Sequence, residues 1–121
     1  DALVDAMDAD IRAVAAKLAT ASGLPIHIEP VSAYPAQVFH AECVDAVSRA
    51  AQRLGYSHMP VVSGAGHDAV YMARLAPTGM IFIPCKDGIS HNEIEDAKPE
   101  HLTAGCNVLL QAMLERAGVA V

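Results

Sequence analysis

The most informative segment for the architecture is residues 80–84, which read Met80-Ile81-Phe82-Ile83-Pro84. A continuous apolar run of this length is typical of a strand that is buried on both faces of a sheet. Pro84 ends the run, because proline has no amide hydrogen to donate to a neighbouring strand. We therefore expect a core strand here, followed by a loop at residues 85–98 that is dense in polar side chains.

Helical apolar spacing is found on both sides of this segment. It predicts a helix over residues 2–21, a second helix that Gly55 ends, a short helix through Arg74 and a last helix from Pro99. The buried stripe of the last helix is predicted to be Leu102, Cys106, Leu109 and Met113.

Two further strands are predicted, a short one at residues 59–62 and an edge strand at residues 24–31, whose prolines limit its pairing. Alternation of helix and strand after residue 40 is typical of an α/β fold, in which helices cover a largely buried sheet. Residues 32–37 predict a linker, and so a domain boundary.

Composition excludes some partners. The 121-residue chain has a formal net charge of −6, whereas nucleic acids and anionic membranes are bound through basic side chains. Three cysteines without close spacing fit neither a disulfide framework nor a CxxC metal site, which favours a reducing cytoplasm. The helical pattern already begins at Asp1, without an initiator methionine, so we expect a truncated protein.

His91 is the first candidate for chemistry, because it lies in the polar loop beyond a buried strand, where open α/β sheets gather ligand sites. A neutral imidazole is a common metal ligand, and nearby carboxylates can orient it. A zinc site needs three or four ligands, however, and no second ligand stands at a fixed spacing. Spacing alone therefore favours an ordinary hydrogen-bonded loop histidine.

The second candidate is the glycine-rich turn and the residues after it, Ser63-Gly64-Ala65-Gly66-His67-Asp68. Backbone amides in such a turn are able to bind a carboxylate or ureido oxygen. Spacing alone favours a plain turn, because the dinucleotide-binding and phosphate-loop patterns are both incomplete. His67 is expected to orient substrate or to hold the loop, and Asp68 to have a structural role through capping or the helix dipole.

Two nucleophile hypotheses are weaker. A nucleophile elbow needs glycine two residues before and after the serine, but Val61 and Ala65 occupy those positions around Ser63. A thiol pair of Cys85 with His91 lacks a third orienting group and a local signature. We therefore expect Cys85 to be a buried cysteine at a strand end.

Three blocks in a fixed order carry a resemblance to a known family: Ser63-Gly64-Ala65-Gly66-His67-Asp68-Ala69, then Met80-Ile81-Phe82-Ile83-Pro84, then Gly88-Ile89-Ser90-His91-Asn92-Glu93 with Glu95. The chain resembles the C-terminal part of the N-carbamoyl-L-amino-acid hydrolase, allantoate amidohydrolase and beta-ureidopropionase group. This group belongs to the dinuclear-metal aminoacylase and carboxypeptidase superfamily. The block Ala104-Gly105-Cys106-Asn107-Val108-Leu109-Leu110 resembles the last helix of the group.

The resemblance implies two domains. Residues 1–35 would be the end of an α+β lid and dimerisation domain, and residues 36–121 the C-terminal part of a mixed-sheet, metal-binding catalytic domain. It also implies that the complete enzyme is a homodimer, and the cysteine pattern favours the cytoplasm as its location. Two divalent metal ions are implied as cofactors, zinc or manganese, with cobalt or nickel as alternatives.

The same resemblance implies roles for individual residues. His91 would be a metal ligand, and substrate would be bound by Gly64, Ala65, Gly66 and His67. The implied substrates are N-carbamoyl amino acids, ureidopropionate or allantoate, whose hydrolysis releases ammonia and carbon dioxide. No catalytic residue is expected in this segment, so the chain alone should be inactive. Cys85 departs from the small hydroxyl residue more common in the group, which leaves the substrate preference open.

An alternative hypothesis treats the chain as a truncated, non-catalytic domain. Its first helix and the edge strand at residues 24–31 would pair with a second copy, because an unpaired strand edge is a template for pairing.

Overall fold

The computed structural model describes residues 1–118. The chain divides into two compact units, Asp1–Ala36 and Gln37–Val121. Its regular elements are α1 (Ala2–Ser22), α2 (Ala41–Arg53), α3 (Ala69–Met72), a 3-10 turn (Lys86–Gly88) and α4 (Pro99–Arg116). Among the described residues, no helix is long and apolar enough to cross a bilayer. The assignment of residues 1–35 to a lid and of residues 36–121 to a catalytic domain stays a prediction.

The predicted helices are confirmed, with ends close to those expected. Gly23 ends α1 in the left-handed conformation, with φ at 71°, and its amide donates to Ala19 O. Gly55 has the same role after α2, with φ at 73°. Pro99 opens α4, where its missing amide hydrogen is not needed.

No β-strand is present in residues 1–118, so the predicted sheet is not confirmed. The three predicted strands that are not formed are residues 24–31, 59–62 and 80–83. A strand is defined by backbone hydrogen bonds to a neighbouring strand, and the described backbone offers none of these segments such a neighbour. Of the predicted α/β fold, the described residues therefore contain the helices but not the sheet.

The first unit consists of α1 and an irregular segment after it. Arg12 Nε donates to Asp8 Oδ2 at 2.7 Å, and its Nη1 donates to Ile28 O at 3.3 Å, which ties the irregular segment to the helix. The apolar stripe predicted along α1 is more than half exposed at every position: Val4, Met7, Ile11, Val14 and Leu18. Pairing of this face with a second copy stays a prediction.

The second unit has a core built mainly of alanine. Its buried residues, as far as the chain is described, are Ala46, Ala50, Ala51, Val108 and Ala112. These small side chains let α2 and α4 pack at close range, because the distance between two helices depends on the side chains at their contact.

Ion pairs join α2 and α4 at the surface. Glu115 Oε1 accepts a hydrogen bond from Arg49 Nε at 3.0 Å, and its Oε2 accepts one from Arg53 Nη1 at 2.9 Å. These bonds, the one from Arg49 first, hold the pKa of the Glu115 carboxyl below its usual value. Arg116 and Glu42 form a third ion pair at 2.9 Å. Because the arginines are exposed, solvent screening keeps these pairs weak, and the alanine core is the main contact between the helices.

The segment at residues 79–83 lies against both helices. A Cβ placed on Gly79 would be 3.1 Å from Cys43 Cβ in α2, and a Cβ placed on Gly105 in α4 would be 2.7 Å from Ile83 Cγ2. Only glycine allows approaches this close without displacement of the neighbour. The apolar segment is therefore packed against the helix pair, although it has no strand partner among the described residues.

The prediction of which face of α4 is buried is wrong for this structure. The members of the predicted stripe are half or more exposed or line an open apolar groove of about 740 Å³ beside residues 79–83: Leu102, Cys106, Leu109 and Met113. The buried face of α4 instead carries Val108 and Ala112, which face the alanines of α2.

Replacing Gly105 with alanine is expected to destabilise the second unit. Alanine is better than glycine in a helix by about 1 kcal/mol. The new methyl group would lie 2.7 Å from Ile83 Cγ2, however, and overpacking of this kind costs about 1–3 kcal/mol. We expect a net loss of about 1 kcal/mol in the free energy of unfolding, measured by urea denaturation. In an Ile83→Ala background, which lacks Cγ2, the same change should be stabilising; equal effects in both backgrounds would contradict this prediction.

Candidate functional site

The glycine-rich turn is exposed and has no regular structure. Ser63 Oγ accepts a hydrogen bond from Ala65 N at 3.2 Å. Within residues 1–118, the amides of Gly64 and Gly66 donate no hydrogen bond. A Cβ placed on either glycine would meet no atom within 4 Å. Two amides of this turn are thus available to an acceptor from outside the described chain, while that of Ala65 is already used.

His67 is held from two sides. Its Nε2 lies 2.8 Å from Ser63 Oγ. Its ring meets the Phe82 ring edge to face, with the centroids 5.4 Å apart and the planes at 64°. Because Phe82 belongs to the apolar segment at residues 80–84, this contact places the turn beside that segment. The second ring nitrogen, Nδ1, has no partner in the part of the chain that is described.

Asp68 does not cap a helix through its side chain, so that part of its predicted role is wrong. The helix that follows, α3, has four residues, and the Asp68 carboxylate makes no capping hydrogen bond. Its backbone carbonyl accepts a hydrogen bond from Tyr71 N at 3.0 Å. A single turn of helix also has a small dipole, so the dipole contributes little to the chemistry of the turn.

His91 lies in a tight loop that Glu95 holds in place. Its φ is 55°, in the left-handed region that few residues other than glycine adopt. Glu95 Oε2 accepts a hydrogen bond from His91 N at 2.8 Å, and Glu95 N donates to Asn92 O at 2.9 Å. The His91 side chain is exposed, and its ring nitrogens have no hydrogen-bond partner within residues 1–118. Within the described residues, His91 is therefore hydrogen-bonded through its backbone amide but not through its ring, unlike the loop histidine that spacing alone favours.

Cys85 contacts Glu95 rather than His91. Its Sγ lies 3.9 Å from Glu95 Oε1 and 3.8 Å from Ile83 O. No hydrogen bond joins Cys85 to His91 in the described chain, so the thiol and imidazole pair considered from the sequence does not form. The cysteine is half-buried, less enclosed than the sequence predicted.

The described residues contain no group of three or more histidine, cysteine, aspartate or glutamate side chains that is arranged to hold a metal ion. His91 and the glycine-rich turn also share no hydrogen bond in this part of the chain. A metal ion at His91 would therefore need ligands from other residues, since zinc takes three or four protein ligands.

The order of these parts along the chain matches a known family model. The model for peptidase family M20/M25/M40 matches residues 5–115, which include the turn, the apolar segment and the His91 loop. The chain belongs to peptidase family M20/M25/M40. This membership confirms the resemblance inferred from the three sequence blocks.

Several named proteins are similar to this chain. The N-carbamoyl-L-amino-acid amidohydrolase of Rhizobium meliloti is 47% identical over 118 residues, which cover 98% of this chain and 28% of that protein. Ureidoglycolate hydrolase of Oryza sativa subsp. japonica is 44% identical over 70 residues, which cover 58% of this chain and 14% of that protein.

Solved structures of similar proteins agree with this assignment. An amidase of the hydantoinase/carbamoylase family from Burkholderia vietnamiensis has a TM-score of 0.90 and 55% identity, and the match covers 97% of this chain and 28% of that one. A second such amidase, from Burkholderia multivorans, has a TM-score of 0.87 and 53% identity over 100% of this chain and 29% of that one. The chain therefore spans less than a third of the length of these relatives.

Membership in the M20/M25/M40 family does not test individual residues. The metal role of His91 stays a prediction, as do the substrate roles of Gly64, Ala65, Gly66 and His67. The sequence reasoning missed the contacts of His67 with Ser63 and Phe82. Serine at one position and histidine four residues later follow no rule of spacing in a turn, and the contact with Phe82 joins distant parts of the chain.

Proposed function

We propose that this chain is the C-terminal part of a metal-dependent amidohydrolase that hydrolyses linear C–N bonds of small ureido compounds. The observation that carries the proposal is the 47% identity to an N-carbamoyl-L-amino-acid amidohydrolase over 98% of this chain. The name of the rice relative, ureidoglycolate hydrolase, refers to a ureido substrate as well. N-carbamoyl amino acids, ureidopropionate and allantoate share this group, and their hydrolysis releases ammonia and carbon dioxide.

In this proposal, residues 36–121 belong to a mixed-sheet catalytic domain and residues 1–35 to a lid. The segments at residues 59–62 and 80–83 become strands by pairing with parts of the enzyme outside this chain. Packing of residues 79–83 against α2 and α4 supports this, because helices cover a sheet in the same way in α/β proteins. The open apolar groove of about 740 Å³ next to that segment is the surface that the rest of the domain would cover.

His91 is the proposed metal ligand of this chain. The fit rests on the chemistry of the loop, since the imidazole is exposed and both ring nitrogens lack a partner within residues 1–118. Glu95 fixes the backbone of His91 in its left-handed conformation, which orients the side chain before any ligand binds. When two divalent ions such as zinc or manganese are bound, they supply an activated water for attack on the carbamoyl carbon.

The glycine-rich turn is the proposed substrate-binding part. The amides of Gly64 and Gly66 have no acceptor in the described chain, so they suit a carboxylate or ureido oxygen of the substrate. The amide of Ala65 already donates a hydrogen bond to Ser63 Oγ. Ala65 would therefore contribute to substrate binding only through the shape of the turn. His67 lies directly after these amides and is fixed by Ser63 and Phe82.

We also propose that the complete enzyme is a cytoplasmic homodimer. The free cysteines, Cys43, Cys85 and Cys106, support a reducing compartment. The exposed apolar stripe of α1 supports association, because contiguous apolar surface usually marks a binding site.

The test is an assay of the complete protein that contains this chain, supplied with manganese or zinc. Ammonia release from an N-carbamoyl amino acid, ureidopropionate and allantoate is compared with hydrolysis of a dipeptide of similar size. We expect kcat/KM for one ureido substrate to exceed that for the dipeptide by at least about 100-fold, because a site built to bond the ureido group discriminates strongly. Preferred cleavage of the dipeptide would contradict the proposal and favour a peptidase.

A further inference from the structure

We propose that Ser63 is a positioning residue, which holds His67 in the tautomer that carries hydrogen on Nδ1 and thereby makes Nδ1 a donor to a substrate oxygen. The tautomer follows from the geometry of this chain alone. The donor role toward substrate rests on the proposed function.

The hydrogen bonds of Ser63 decide where its single hydroxyl hydrogen goes. Its Oγ has three polar neighbours, namely Ala65 N at 3.2 Å, Ala65 O at 3.4 Å and His67 Nε2 at 2.8 Å. The amide of Ala65 is a donor, so Oγ accepts that bond. A hydroxyl bonds oxygen at about 2.5–3.0 Å, and the carbonyl of Ala65 lies beyond this range. The hydroxyl hydrogen is therefore directed at His67 Nε2.

The hydrogen bond from the Ser63 hydroxyl determines which nitrogen of the neutral His67 ring carries the hydrogen. A neutral imidazole has one donor and one acceptor nitrogen, so if Nε2 accepts from Ser63, Nδ1 carries the hydrogen. The opposite assignment, with hydrogen on Nε2, would leave the serine hydrogen with only the 3.4 Å carbonyl contact inside the described chain.

The ring is also prevented from turning over. A half-turn about the bond between Cβ and Cγ would place a carbon instead of Nε2 opposite Ser63 and would lose that hydrogen bond. The edge-to-face contact with Phe82 keeps the ring in its plane. The backbone of His67 is held as well, because its carbonyl accepts a hydrogen bond from Val70 N at 3.0 Å. With Nε2 bonded and the ring fixed, Nδ1–H is the polar group that His67 has left for a ligand.

The resulting set of donors selects a class of ligand. The amides of Gly64 and Gly66 and the Nδ1–H of His67 are three donors without partners within residues 1–118. Such a set suits an acceptor-only group, namely a carboxylate or a ureido carbonyl oxygen, and disfavours an ammonium group.

The tautomer is tested by ¹⁵N NMR of the complete enzyme with labelled histidine, at a pH at which the His67 ring is neutral. The His67 signals are assigned by their loss in a His67→Gln variant. We expect hydrogen on Nδ1 in the natural protein and in Ser63→Thr, which keeps a hydroxyl. In Ser63→Ala we expect a shift toward hydrogen on Nε2, which unconstrained histidine prefers in water. Ser57→Ala is the matched control, since Ser57 is also exposed and has no hydrogen bond in the described chain.

Kinetics of the same variants test the role toward substrate. We expect Ser63→Ala to raise KM for the ureido substrate about 3- to 10-fold, the equivalent of one hydrogen bond, with little change in kcat. Ser63→Thr should keep the KM of the natural protein, and Ser57→Ala should leave KM unchanged.

Two NMR results would overturn the proposal: hydrogen on Nε2 in the natural protein, or the same tautomer in Ser63→Ala as in the natural protein. A changed tautomer with an unchanged KM would overturn the donor role. Absence of turnover in the natural enzyme would count against the proposed function, while the NMR result would still decide the role of Ser63 in setting the tautomer.

Discussion

Replacing His91 with asparagine in the complete protein should remove bound metal and lower kcat/KM for the ureido substrate by more than about 100-fold. Loss of a residue that only supports a metal ligand already costs 10- to 100-fold in affinity or activity, and His91 is proposed to bind the metal directly. Asparagine tolerates the left-handed conformation that residue 91 adopts, so the backbone bond from residue 91 to Glu95 should persist. Metal content by mass spectrometry is measured together with the steady-state kinetics.

A matched control separates loss of a ligand from loss of any histidine. His58 is exposed as well, but its ring bonds Ser48 Oγ at 3.0 Å and lies near Tyr56 O at 3.2 Å, outside the turn and the His91 loop. His58→Asn should therefore keep the full metal content and the natural kcat/KM. Full metal content and activity in His91→Asn would show that His91 is not a ligand.

Helices were predictable from the sequence because their determinants are local. The apolar spacing along α1 and α2 and the glycines after them lie within a few residues of the hydrogen bonds they predict. The strand at residues 80–83 was predicted from composition, but a strand is complete only with a partner. Local sequence cannot show whether that partner belongs to the same segment of chain, and within residues 1–118 it does not.

Prediction of the buried face of α4 failed for a similar reason. The helix is apolar around much of its circumference, so periodicity alone did not decide which face meets α2. The larger side chains, Leu102, Leu109 and Met113, were assigned to the core. Val108 and Ala112 face the alanines of α2 instead, while the larger side chains line the open groove that the rest of the proposed domain would cover.

For the candidate site, the order of three sequence blocks was enough to recognise the family, and the family model confirms it over residues 5–115. The contacts that hold the site were not predictable. The bond between Ser63 and His67 depends on the path of an irregular turn, and the contact of His67 with Phe82 on a fold that brings distant residues together. Likewise, the sequence showed that Glu95 is near His91 but not that it accepts the His91 amide hydrogen.

The 121-residue chain by itself is expected to show no detectable amidohydrolase turnover and only weak metal binding. No group of three or more potential ligand side chains is assembled within residues 1–118, whereas a zinc site uses three or four. Neither does this segment supply a residue proposed to act as general base. Ammonia release and calorimetric titration with zinc or manganese are measured on the purified chain, with the complete protein under the same conditions as the positive control.

Comparing the isolated chain with its His91→Asn variant shows whether His91 is responsible for the weak metal binding of the chain. If His91 is a ligand that waits for partners from the rest of the enzyme, the variant should bind metal more weakly than the chain, and both should lack turnover. If the isolated chain did show turnover, the prediction that catalysis requires residues outside this chain would be refuted. Circular dichroism on both samples is required, because the apolar groove beside residues 79–83 and the exposed stripe of α1 lack cover in the described chain. If the His91→Asn variant has the same helix content as the natural chain, its weaker metal binding is due to the missing imidazole and not to unfolding.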